Sequence, residues 1–409
     1  MSSISIRSWR SSTSSLRILL LLAGWLALGA LAPLASARAA GHEAGHEAGE
    51  TSAADAPAYQ LEVVAGGLSL PWSLAFLPNG DMLVTELPGA LRYVRGGELE
   101  PQPIAGVPKV YFRGQGGLMD VVLHPEFAAN QLLYLTYAQG GADSNALVVM
   151  RARLQGRRLV DRKEIFRAVP RKNTPVHYGG RMVFLSDGSF LLTVGDGFDF
   201  REEAQNLANH YGTVVRLTDA GAPAPGNPFA EQDDARPEIW TYGHRNAQAI
   251  VLDDAGRVWL NEHGPRGGDE LNLIVPGANY GWPLATHGLD YSGARVSPYT
   301  SYPNTQAPIK YWVPSIAPSG MTHYDGDLFP TWRGDLFLTS LLDKHVVHVR
   351  MANGRPQHFA PMFAELDARL RDIRTAPDGA LYILTEGPPG STRYNARAPD
   401  GRIVRVAPR

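Results

Sequence analysis

A strand-turn-strand unit that recurs six times is the feature of this sequence that most constrains its fold. Each copy reads as a short apolar strand, a turn containing Gly, Pro, Asn or Asp, and a second apolar strand that ends in a small polar residue. The six copies occupy residues 73–86, 120–137, 181–197, 249–264, 320–340 and 372–387. Because such a unit cannot bury its apolar faces alone, neighbouring copies must stack on one another.

The spacing of the copies predicts the size of each unit. The small polar residues that close the second strands lie about 60 positions apart on average: Thr85, Thr136, Thr193, Asn261, Thr339 and Thr385. That interval suits one four-stranded antiparallel sheet per repeat. The strands are almost continuously apolar, as expected for sheets covered on both faces. We therefore predict an all-β fold, a six-bladed β-propeller of four-stranded antiparallel sheets, over residues 58–409.

Two apolar segments at opposite ends of this range predict how the ring closes. Residues 401–408, GRIVRVAP, read as a final strand, and residues 61–67, LEVVAGG, read as its partner. Pairing the two segments would leave the propeller without an open sheet edge.

The residues before the repeats have a different character. Three arginines precede an apolar run at 18–35, which ends in the small-residue triplet Ala35-Ser36-Ala37. This pattern predicts a signal peptide over residues 1–40 and a mature protein that is periplasmic or secreted, without a membrane span. The alternative is an uncleaved membrane anchor, because the run is near the lower length limit of a spanning helix.

Residues 41–57, GHEAGHEAGETSAADAP, form a low-complexity segment that we interpret as a disordered linker. Loose metal binding by its histidines is the alternative. Since the chain contains no cysteine, disulfides, zinc ribbons and cysteine-ligated clusters are excluded. The formal net charge of -2 shows no basic excess, which argues against nucleic acid or an anionic membrane surface as a partner.

Five polar side chains recur just ahead of the first strand of their repeats: Gln115, His177, Arg245, Arg369 and Arg371. Equivalent positions on different blades share one rim around the propeller axis, so these side chains should converge. Guanidinium groups pair with carboxylates and stack on planar rings, which favours a cradle for a flat polyanion. Taken singly, each residue would be read as a structural histidine or a solvated cation. Their common register favours a functional site.

A Gly-rich segment at 262–283 follows the second strand of the fourth repeat. Its glycines and prolines favour an irregular course in which main-chain carbonyls point at a cation, and calcium prefers oxygen ligands of that kind. The segment also carries three acidic residues, Glu262, Asp269 and Glu270. A plain turn remains the alternative, since carbonyl ligands leave no side-chain signature.

Six longer motifs together resemble a known family: 114–127, 177–184, 242–248, 261–274, 279–288 and 371–385. Over residues 60–408 the chain resembles the soluble calcium-dependent quinoprotein sugar dehydrogenases that use pyrroloquinoline quinone (PQQ), specifically the aldose sugar dehydrogenase branch. The resemblance implies an oxidoreductase that oxidises aldoses at the anomeric carbon to lactones by hydride transfer to PQQ. An external acceptor would receive the electrons, and the protein would be a monomer or homodimer.

The resemblance also implies roles for particular residues. His177 would be the general base, because an imidazole titrates near neutral pH. Arg245, as a catalytic residue, and Asn246 would hold the reactive edge of the cofactor and stabilise its developing charge. The further cofactor contacts would come from Gln115, Arg369, Arg371 and Thr385.

Two calcium sites follow from the same resemblance. The main-chain oxygens of Gly264 and Pro265 would bind the catalytic calcium, which acts as a Lewis acid on the quinone carbonyl. Glu270 and Tyr280 match positions associated with a second, structural calcium.

The sequence departs from the family pattern at three positions. Leu342 replaces a lysine expected in the cofactor cradle, and only the nearby Lys344 could substitute for it. Val176 stands where a polar residue usually precedes the catalytic histidine, and Ala247 follows the Arg-Asn pair in place of proline. Losing one charge-assisted bond would weaken cofactor affinity by about 1.5 to 3 kcal/mol.

Two other functions are compatible with a propeller. A calcium-dependent lactonase would need acidic side chains as metal ligands in the channel, whereas the residues in register are Gln, His and Arg. A non-catalytic binding module that has lost the quinone is the other alternative, and Leu342 motivates it.

Overall fold

The computed structural model describes residues 57–387 and 399–409. Their strands form six antiparallel sheets of four strands each, and each sheet is one blade of a propeller. The predicted fold class is therefore confirmed. The predicted signal peptide and all but residue 57 of the predicted linker lie outside the described residues. No helix within the described part of the chain is long and apolar enough to cross a membrane.

The described residues form 24 strands, which are numbered in chain order. The first is β1 (Tyr59–Leu68), which belongs to the last blade. Blade 1 contains β2 (Pro71–Phe76), β3 (Met82–Glu86), β4 (Ala90–Arg95) and β5 (Glu98–Leu99). Blade 2 contains β6 (Leu118–Leu123), β7 (Leu132–Gly140), β8 (Asn145–Gln155) and β9 (Arg158–Arg167). Blade 3 contains β10 (Gly179–Phe184), β11 (Phe190–Val194), β12 (Thr213–Leu217) and β13 (Ile239–Tyr242).

The remaining blades follow the same order. Blade 4 contains β14 (Ala247–Leu252), β15 (Val258–Glu262), β16 (Asp269–Ile274) and β17 (Lys310–Trp312). Blade 5 contains β18 (Pro318–His323), β19 (Leu336–Ser340), β20 (Val346–Ala352) and β21 (Arg355–Met362). Blade 6 contains β22 (Leu370–Thr375), β23 (Leu381–Thr385), β24 (Gly401–Pro408) and β1. The helical segments of the described residues are short: α1 (Phe127–Asn130) and three 3-10 turns at Arg201–Gln205, Pro330–Trp332 and Ala364–Leu366.

Blade 6 closes the ring with strands from both ends of the described chain. β1 pairs with β24 in antiparallel register, with Leu61 opposite Val406 and Val63 opposite Val404. The predicted pairing of residues 61–67 with residues 401–408 is therefore confirmed. This arrangement covers the edge of β24 that would otherwise be exposed for pairing with another chain.

In blades 1, 2 and 3 the recurring threonine stabilises a β-bulge at the start of the first strand, which is the inner strand of the blade. The hydroxyls of Thr85, Thr136 and Thr193 each accept a hydrogen bond from an amide of that strand. The first two strands of every blade pair with a register shift near that point. In blade 2 the Thr136 hydroxyl accepts a hydrogen bond from the Asp120 amide at 2.8 Å and donates one to Gly180 of blade 3 at 2.7 Å. In blade 4 the Asn261 side chain likewise reaches Ser319 of blade 5. Because the bulge bends the inner strand, it sets the direction of the chain that precedes it.

Apolar side chains fill the space between neighbouring blades. Tyr134 of blade 2 and Phe190 of blade 3 are fully buried, with ring centroids 5.8 Å apart. Between blades 5 and 6, Trp332 and Phe337 pack in one cluster with Ile373. Burial on both faces of each sheet explains the continuous apolar strands of the sequence.

A buried ionic network joins the inner strands near the propeller axis. The Arg181 guanidinium pairs with Asp120 at 3.4 Å and with Asp372 at 3.2 Å, and it lies 3.9 Å from the ring centroid of Trp72. Arg374 pairs with the same two carboxylates. These groups come from blades 1, 2, 3 and 6, so the network ties distant parts of the chain together. Both axial aspartates are neutralised by arginines.

Candidate active site

The loops that enter the inner strands bring the predicted polar residues to one end of the propeller. A cavity of about 470 Å³ opens there, and its walls include Gln115, Arg369 and Arg371. The volume lies within the range of roughly 300 to 1,000 Å³ that is usual for small-molecule sites. The shared register of these residues therefore does correspond to a shared location.

His177 lies beside this cavity, directly before β10, and is 4 % exposed. Its main-chain amide donates a hydrogen bond to the Gln115 side chain at 2.8 Å, and its Nδ1 lies 2.7 Å from the Asp196 carboxylate. The backbone of His177 is left-handed, with a φ of 53°. A non-glycine residue in this region carries local strain, which the two hydrogen bonds offset. Such a held conformation is typical of functional residues.

Asp196 is positioned as tightly as the histidine that it contacts. Its carboxylate also accepts hydrogen bonds from the Phe198 amide and from the Trp282 indole, both at 2.8 Å. The turn that carries it is compact, since a Cβ on Gly195 would lie 2.5 Å from the His177 carbonyl. Burial raises the pKa of Asp196, but the contact with His177, the Arg245 charge and the hydrogen bond from the Phe198 amide outweigh burial and hold this pKa below its usual value.

The electrostatics favour a neutral imidazole beside an ionised carboxylate. Burial lowers the pKa of His177 below its ordinary value of 6.5, although Asp196 acts in the opposite direction. Since ionised Asp196 accepts a proton donor at Nδ1, the hydrogen on the neutral ring resides there and the lone pair is on Nε2. His177 is thus arranged to accept a proton through Nε2.

Arg245 and Asn246 enter the site directly before β14. The Arg245 guanidinium donates to the Gly264 carbonyl at 2.5 Å and lies 5.3 Å from the Trp282 ring centroid. The Asn246 carbonyl oxygen accepts a hydrogen bond from the Gly179 amide at 3.3 Å. Among the described residues, the buried Arg245 Nε and Asn246 Nδ2 atoms have no hydrogen-bond partner. Two unsatisfied buried donors on consecutive residues are unusual in a core and fit a ligand with acceptor oxygens.

The loop after β15 places the Gly264 carbonyl beside Arg245 and Pro265 at the wall of a second cleft. The Gly264 amide donates to Asp269 at 2.9 Å, which fixes the direction of this loop. His263, the preceding residue, lines the main cavity and is bonded through Nε2 to the Pro318 carbonyl. Burial, with the nearby arginine charges, lowers the pKa of His263 to about 3, so this imidazole is neutral at physiological pH.

Glu386 orients both cavity arginines. Its carboxylate, buried directly after β23, accepts hydrogen bonds from Arg369 Nε at 2.9 Å and from Arg371 Nε at 2.6 Å. Arg371 also donates to Gln248 and Ser319. Burial raises the pKa of Glu386, but the two guanidinium groups outweigh it and hold this pKa below its usual value. One carboxylate opposite two cations leaves positive charge for an anionic ligand.

Glu270 lies on β16, within the Gly-rich segment 262–283. The Asn272 amide donates to Glu270 at 3.0 Å and to Glu262 at 3.2 Å, so one amide bridges a half-buried and a buried carboxyl group. Burial and the Glu262 charge raise the pKa of Glu270 to about 8. The Tyr280 ring stacks on His244 with centroids 4.5 Å apart, and His244 in turn contacts Glu262. Glu270 and Tyr280 therefore belong to one connected cluster.

Three other residues singled out from the sequence lie at or near the cavity. Leu342 lines it and is 57 % exposed, whereas Lys344 pairs with Asp367 at 2.8 Å and is absent from the lining. The buried Thr385 hydroxyl donates to the Gly387 carbonyl and accepts from the Arg402 amide, which ties it to its own blade. Neither Lys344 nor Thr385 is directed at the cavity by these contacts.

A second cleft of about 280 Å³ has Arg245 in its wall. Its walls carry the aromatic rings of Phe198, Trp282 and Tyr291. Phe198 contacts the His177 ring edge-on at 5.1 Å and stacks on Tyr291 at 6.1 Å. The cleft is therefore separated from the His177 ring by the side chain of Phe198.

Sequence reasoning missed the two carboxylates that orient the site, Asp196 and Glu386. A signal for Glu386 was present, because a glutamate directly follows the small polar residue in three repeats, at Glu86, Glu262 and Glu386. Each of these carboxylates accepts a hydrogen bond from the loop that enters the inner strand of its blade. Asp196 lies three positions after Thr193, the small polar residue of its repeat, and has no counterpart in that pattern.

Comparisons with known proteins agree with this architecture. The family model described as Glucose / Sorbosone dehydrogenase matches residues 68–394. The aldose sugar dehydrogenase YliI of Escherichia coli is 40% identical over 356 residues, which cover 85% of this chain and 93% of that protein.

Solved structures give the same result. The crystal structure of the soluble aldose sugar dehydrogenase from Escherichia coli in the apo-form superposes with a TM-score of 0.80 at 39% identity, covering 86% of this chain and 100% of that one. The PQQ-bound aldose sugar dehydrogenase from Streptomyces coelicolor gives a TM-score of 0.70 at 28% identity, covering 86% and 99%. The resemblance inferred from the motifs is thereby confirmed, and this chain belongs to the glucose/sorbosone dehydrogenase family.

Proposed function

We propose that this protein is a PQQ-dependent aldose dehydrogenase that oxidises the anomeric carbon of the sugar to a lactone, with His177 as the general base. The observation that carries the proposal is the buried His177–Asp196 pair at 2.7 Å, beside a cavity walled by two arginines. Similarity to a PQQ-bound aldose sugar dehydrogenase supports the choice of cofactor.

The residues of the cavity fit a planar tricarboxylate. Arg369, Arg371 and Gln115 would hold the cofactor, together with the unsatisfied donors of Arg245 and Asn246. When bound, PQQ would supply the acceptor for the hydride of the anomeric carbon, and calcium would supply a Lewis acid for the quinone carbonyl. The arginines supply the charge that a tricarboxylate requires.

The protein's own contribution to the reaction is to move and hold a proton. The lone pair on His177 Nε2 takes the proton of the anomeric hydroxyl, and ionised Asp196 stabilises the imidazolium that forms. Because the pKa of free His177 lies below 6.5, the base is ready above that pH and is lost as the pH falls through the lowered pKa. Burial of the pair keeps water from competing for the proton.

We place the catalytic calcium at the main-chain oxygens of Gly264 and Pro265. Hard carbonyl oxygens suit this ion, and the Gly264 carbonyl already faces a cationic partner, the Arg245 guanidinium. A second calcium would bind at Glu270 and Tyr280. Burial and the neighbouring Glu262 charge disfavour the ionised form of Glu270, and a bound cation would relieve that repulsion.

Calcium should therefore raise the melting temperature, and the Glu270→Gln variant should lose part of that increase.

The sugar would enter through the cleft beside Arg245. Aromatic faces pack against the C–H faces of pyranose rings, and Trp282 and Tyr291 both contribute rings there. The cleft also carries the ionic pair of Arg201 with Asp290 at 3.4 Å, whose polar atoms suit hydroxyl groups.

Replacing Tyr291 by alanine should raise the KM for aldoses by about fivefold, the loss of roughly 1 kcal/mol of aromatic contact. The affinity for PQQ should not change, because Tyr291 lies outside the main cavity. Steady-state kinetics at saturating cofactor measure the KM. The matched control is Tyr299→Ala, an equally exposed tyrosine that contacts Tyr302 instead. An unchanged KM in the Tyr291 variant would remove the ring from the sugar site.

Replacing Arg245 by alanine should weaken PQQ binding about tenfold or more, because one charge-assisted hydrogen bond is lost from the site. A fluorescence titration with PQQ at fixed calcium measures the dissociation constant. Arg355→Ala, an exposed arginine on β21, is the control and should bind PQQ normally. If the Arg245 variant keeps full affinity and activity, Arg245 does not hold the cofactor.

Reconstitution decides between this function and its alternatives. Purified protein should gain quinone absorbance with calcium and PQQ, and should then reduce a dye in the presence of aldoses. A non-catalytic propeller, which Leu342 at the cavity wall favours, would show no thermal stabilisation by PQQ. A lactonase would hydrolyse lactones with calcium alone, although the axial aspartates Asp120 and Asp372 are paired with arginines rather than gathered as ligands.

We also propose that the protein is exported and cleaved near residue 37, which would deliver electrons to an acceptor outside the cytoplasm. The apolar run at 18–35 and its small-residue end support export. N-terminal sequencing of the exported protein tests the cleavage. A chain that still begins before Ala35 would contradict it.

A further inference from the structure

A buried lysine supports the loop that carries His177. Lys172 is 5 % exposed, and its ammonium group donates to the Thr174 carbonyl at 2.9 Å and to the Val176 carbonyl. It also lies 3.4 Å from the Thr174 hydroxyl and 3.6 Å from the ring centroid of Tyr178. An ammonium has three donors and no acceptor, so three oxygens and an aromatic face match its charged form.

The same loop is tied to the turn that carries Asp196. The Thr174 hydroxyl donates to the Gly197 carbonyl at 2.6 Å, and the Lys172 stem packs against Gly197, where an added Cβ would lie 3.0 Å from Lys172 Cδ. The Pro175 carbonyl, between the two carbonyls that Lys172 holds, accepts the Gln115 amide at 2.9 Å. Lys172 therefore fixes the chain on both sides of the segment that positions Gln115 and His177.

Among the described residues, no carboxylate contacts the Lys172 ammonium group directly. None of the ion pairs among the described residues includes it. A cation held only by carbonyls and a ring exerts its field on the groups around it. The titratable groups that face this region are Asp196 after β11, Arg245 before β14, His263 after β15 and Tyr178 beside His177.

We propose that Lys172 is a positioning residue for His177. Its ammonium group holds the Thr174 and Val176 carbonyls of the loop that leads to His177, its stem packs on Gly197 of the Asp196 turn, and its charge lies near the imidazole. The geometry of the loop is independent of the reaction, whereas the catalytic consequence rests on the proposed function. In that function a nearby cation keeps the imidazole free of a proton before substrate arrives, which a general base requires.

The electrostatics are consistent with this role. Burial lowers the pKa of Lys172 to about 7, with Asp196 opposing the change. Burial lowers the pKa of His177, Asp196 opposes this, and the Arg245 and Lys172 charges lower it further. Removing the Lys172 charge should therefore raise the pKa of His177.

The test is a pair of neutral variants, Lys172→Met and Lys172→Gln, with the His177 ring observed by NMR in ¹⁵N-histidine-labelled protein without cofactor. We expect the titration of His177 to move up by about 0.5 to 1 pH unit in both, as one missing charge would give. In reconstituted enzyme the acid limb of kcat/KM should move up by the same amount. The Gln variant keeps hydrogen-bond donors for the loop, so it should fold if the Met variant does not.

The control is Lys310→Met. Lys310 lies on the outer strand of blade 4, and its ammonium group is 5.4 Å from the Phe359 ring of blade 5. This variant should leave the His177 titration unchanged. If neither neutral variant folds, the same titration is followed in the wild-type protein. The chemical shifts of the His177 ring should then show a second step at the pH, near 7, at which ¹³C-labelled Lys172 loses its proton. A His177 titration that is identical with and without the Lys172 charge would overturn the proposal. Because this readout uses neither quinone nor sugar, it is independent of whether the proposed function fails.

Discussion

His177→Ala should lower the turnover rate by about 10² to 10⁴, the usual contribution of a positioned general base, while the affinity for PQQ changes only a few-fold. The side chain is buried beside the cavity, and its Nδ1 is committed to Asp196, so its remaining nitrogen faces no competing role in the fold. In the wild type the rate should be constant above pH 6.5 and fall below that value as the lowered pKa is crossed. In the variant this acid limb should disappear.

The measurements are kcat with a saturating aldose, kcat/KM against pH, which reports the pKa of the substrate-free enzyme, and a PQQ titration of the same preparation. His358→Ala, on the outermost strand of blade 5, is the matched control and should retain wild-type turnover. An equal loss of binding and turnover in the His177 variant would show that the imidazole shapes the cavity and does not transfer a proton.

Glu386→Gln should reduce the free energy of unfolding of the cofactor-free protein by about 3 kcal/mol at pH 7. This is the low end of the range for breaking a buried ion pair, because the guanidinium groups of Arg369 and Arg371 keep part of their surface in the cavity. PQQ should recover much of the loss, since its carboxylates would face the uncompensated cations.

The effect should depend on pH with a definite sign. The folded pKa of Glu386 lies below its ordinary value of 4.5, so the carboxylate contributes stability above that pH. The contribution is lost as the pH falls through the lowered value, and the two proteins should then converge. Urea unfolding at pH 7 and at successively lower pH measures the difference. Glu365→Gln, which alters only an exposed contact with Tyr59, is the control, and an equal loss in both variants would contradict the account.

The fold could be predicted from the sequence because apolar strands and turn residues recur in the same order in all six repeats. The threonines at the ends of the second strands of blades 1, 2 and 3 have a direct structural cause, since each accepts a hydrogen bond from an amide at the bulge of the inner strand. The pairing of β1 with β24 was also predictable, because a closed ring leaves two unmatched apolar segments. Neither inference required knowledge of side-chain geometry.

The site was predictable only in part. Register alone indicated that Gln115, Arg369 and Arg371 share a cavity, because equivalent positions on a propeller share a rim. The partners of these residues were not predictable in the same way. Asp196 reaches His177 through a compact turn, and the left-handed backbone of His177 depends on contacts from other blades. Such contacts are set by tertiary packing and not by local sequence.

Loop positions show the same limit. Leu342 lines the cavity where a lysine was expected, and the nearby Lys344 binds Asp367 instead of turning toward the arginines. Thr385 matched a cofactor-contacting position, but its hydroxyl is used within blade 6. The contacts of one hydroxyl or one amine depend on a rotation of a few bonds, which a motif cannot specify.

The most direct measurement of the central claim is a crystal structure of the protein soaked with PQQ and calcium. We expect the planar ring to lie in the cavity at the ends of the inner strands, with its carboxylates against Arg369 and Arg371 and an acceptor oxygen at the side-chain amide of Asn246. Density for the quinone at any other place, or an empty cavity at saturating cofactor, would contradict it.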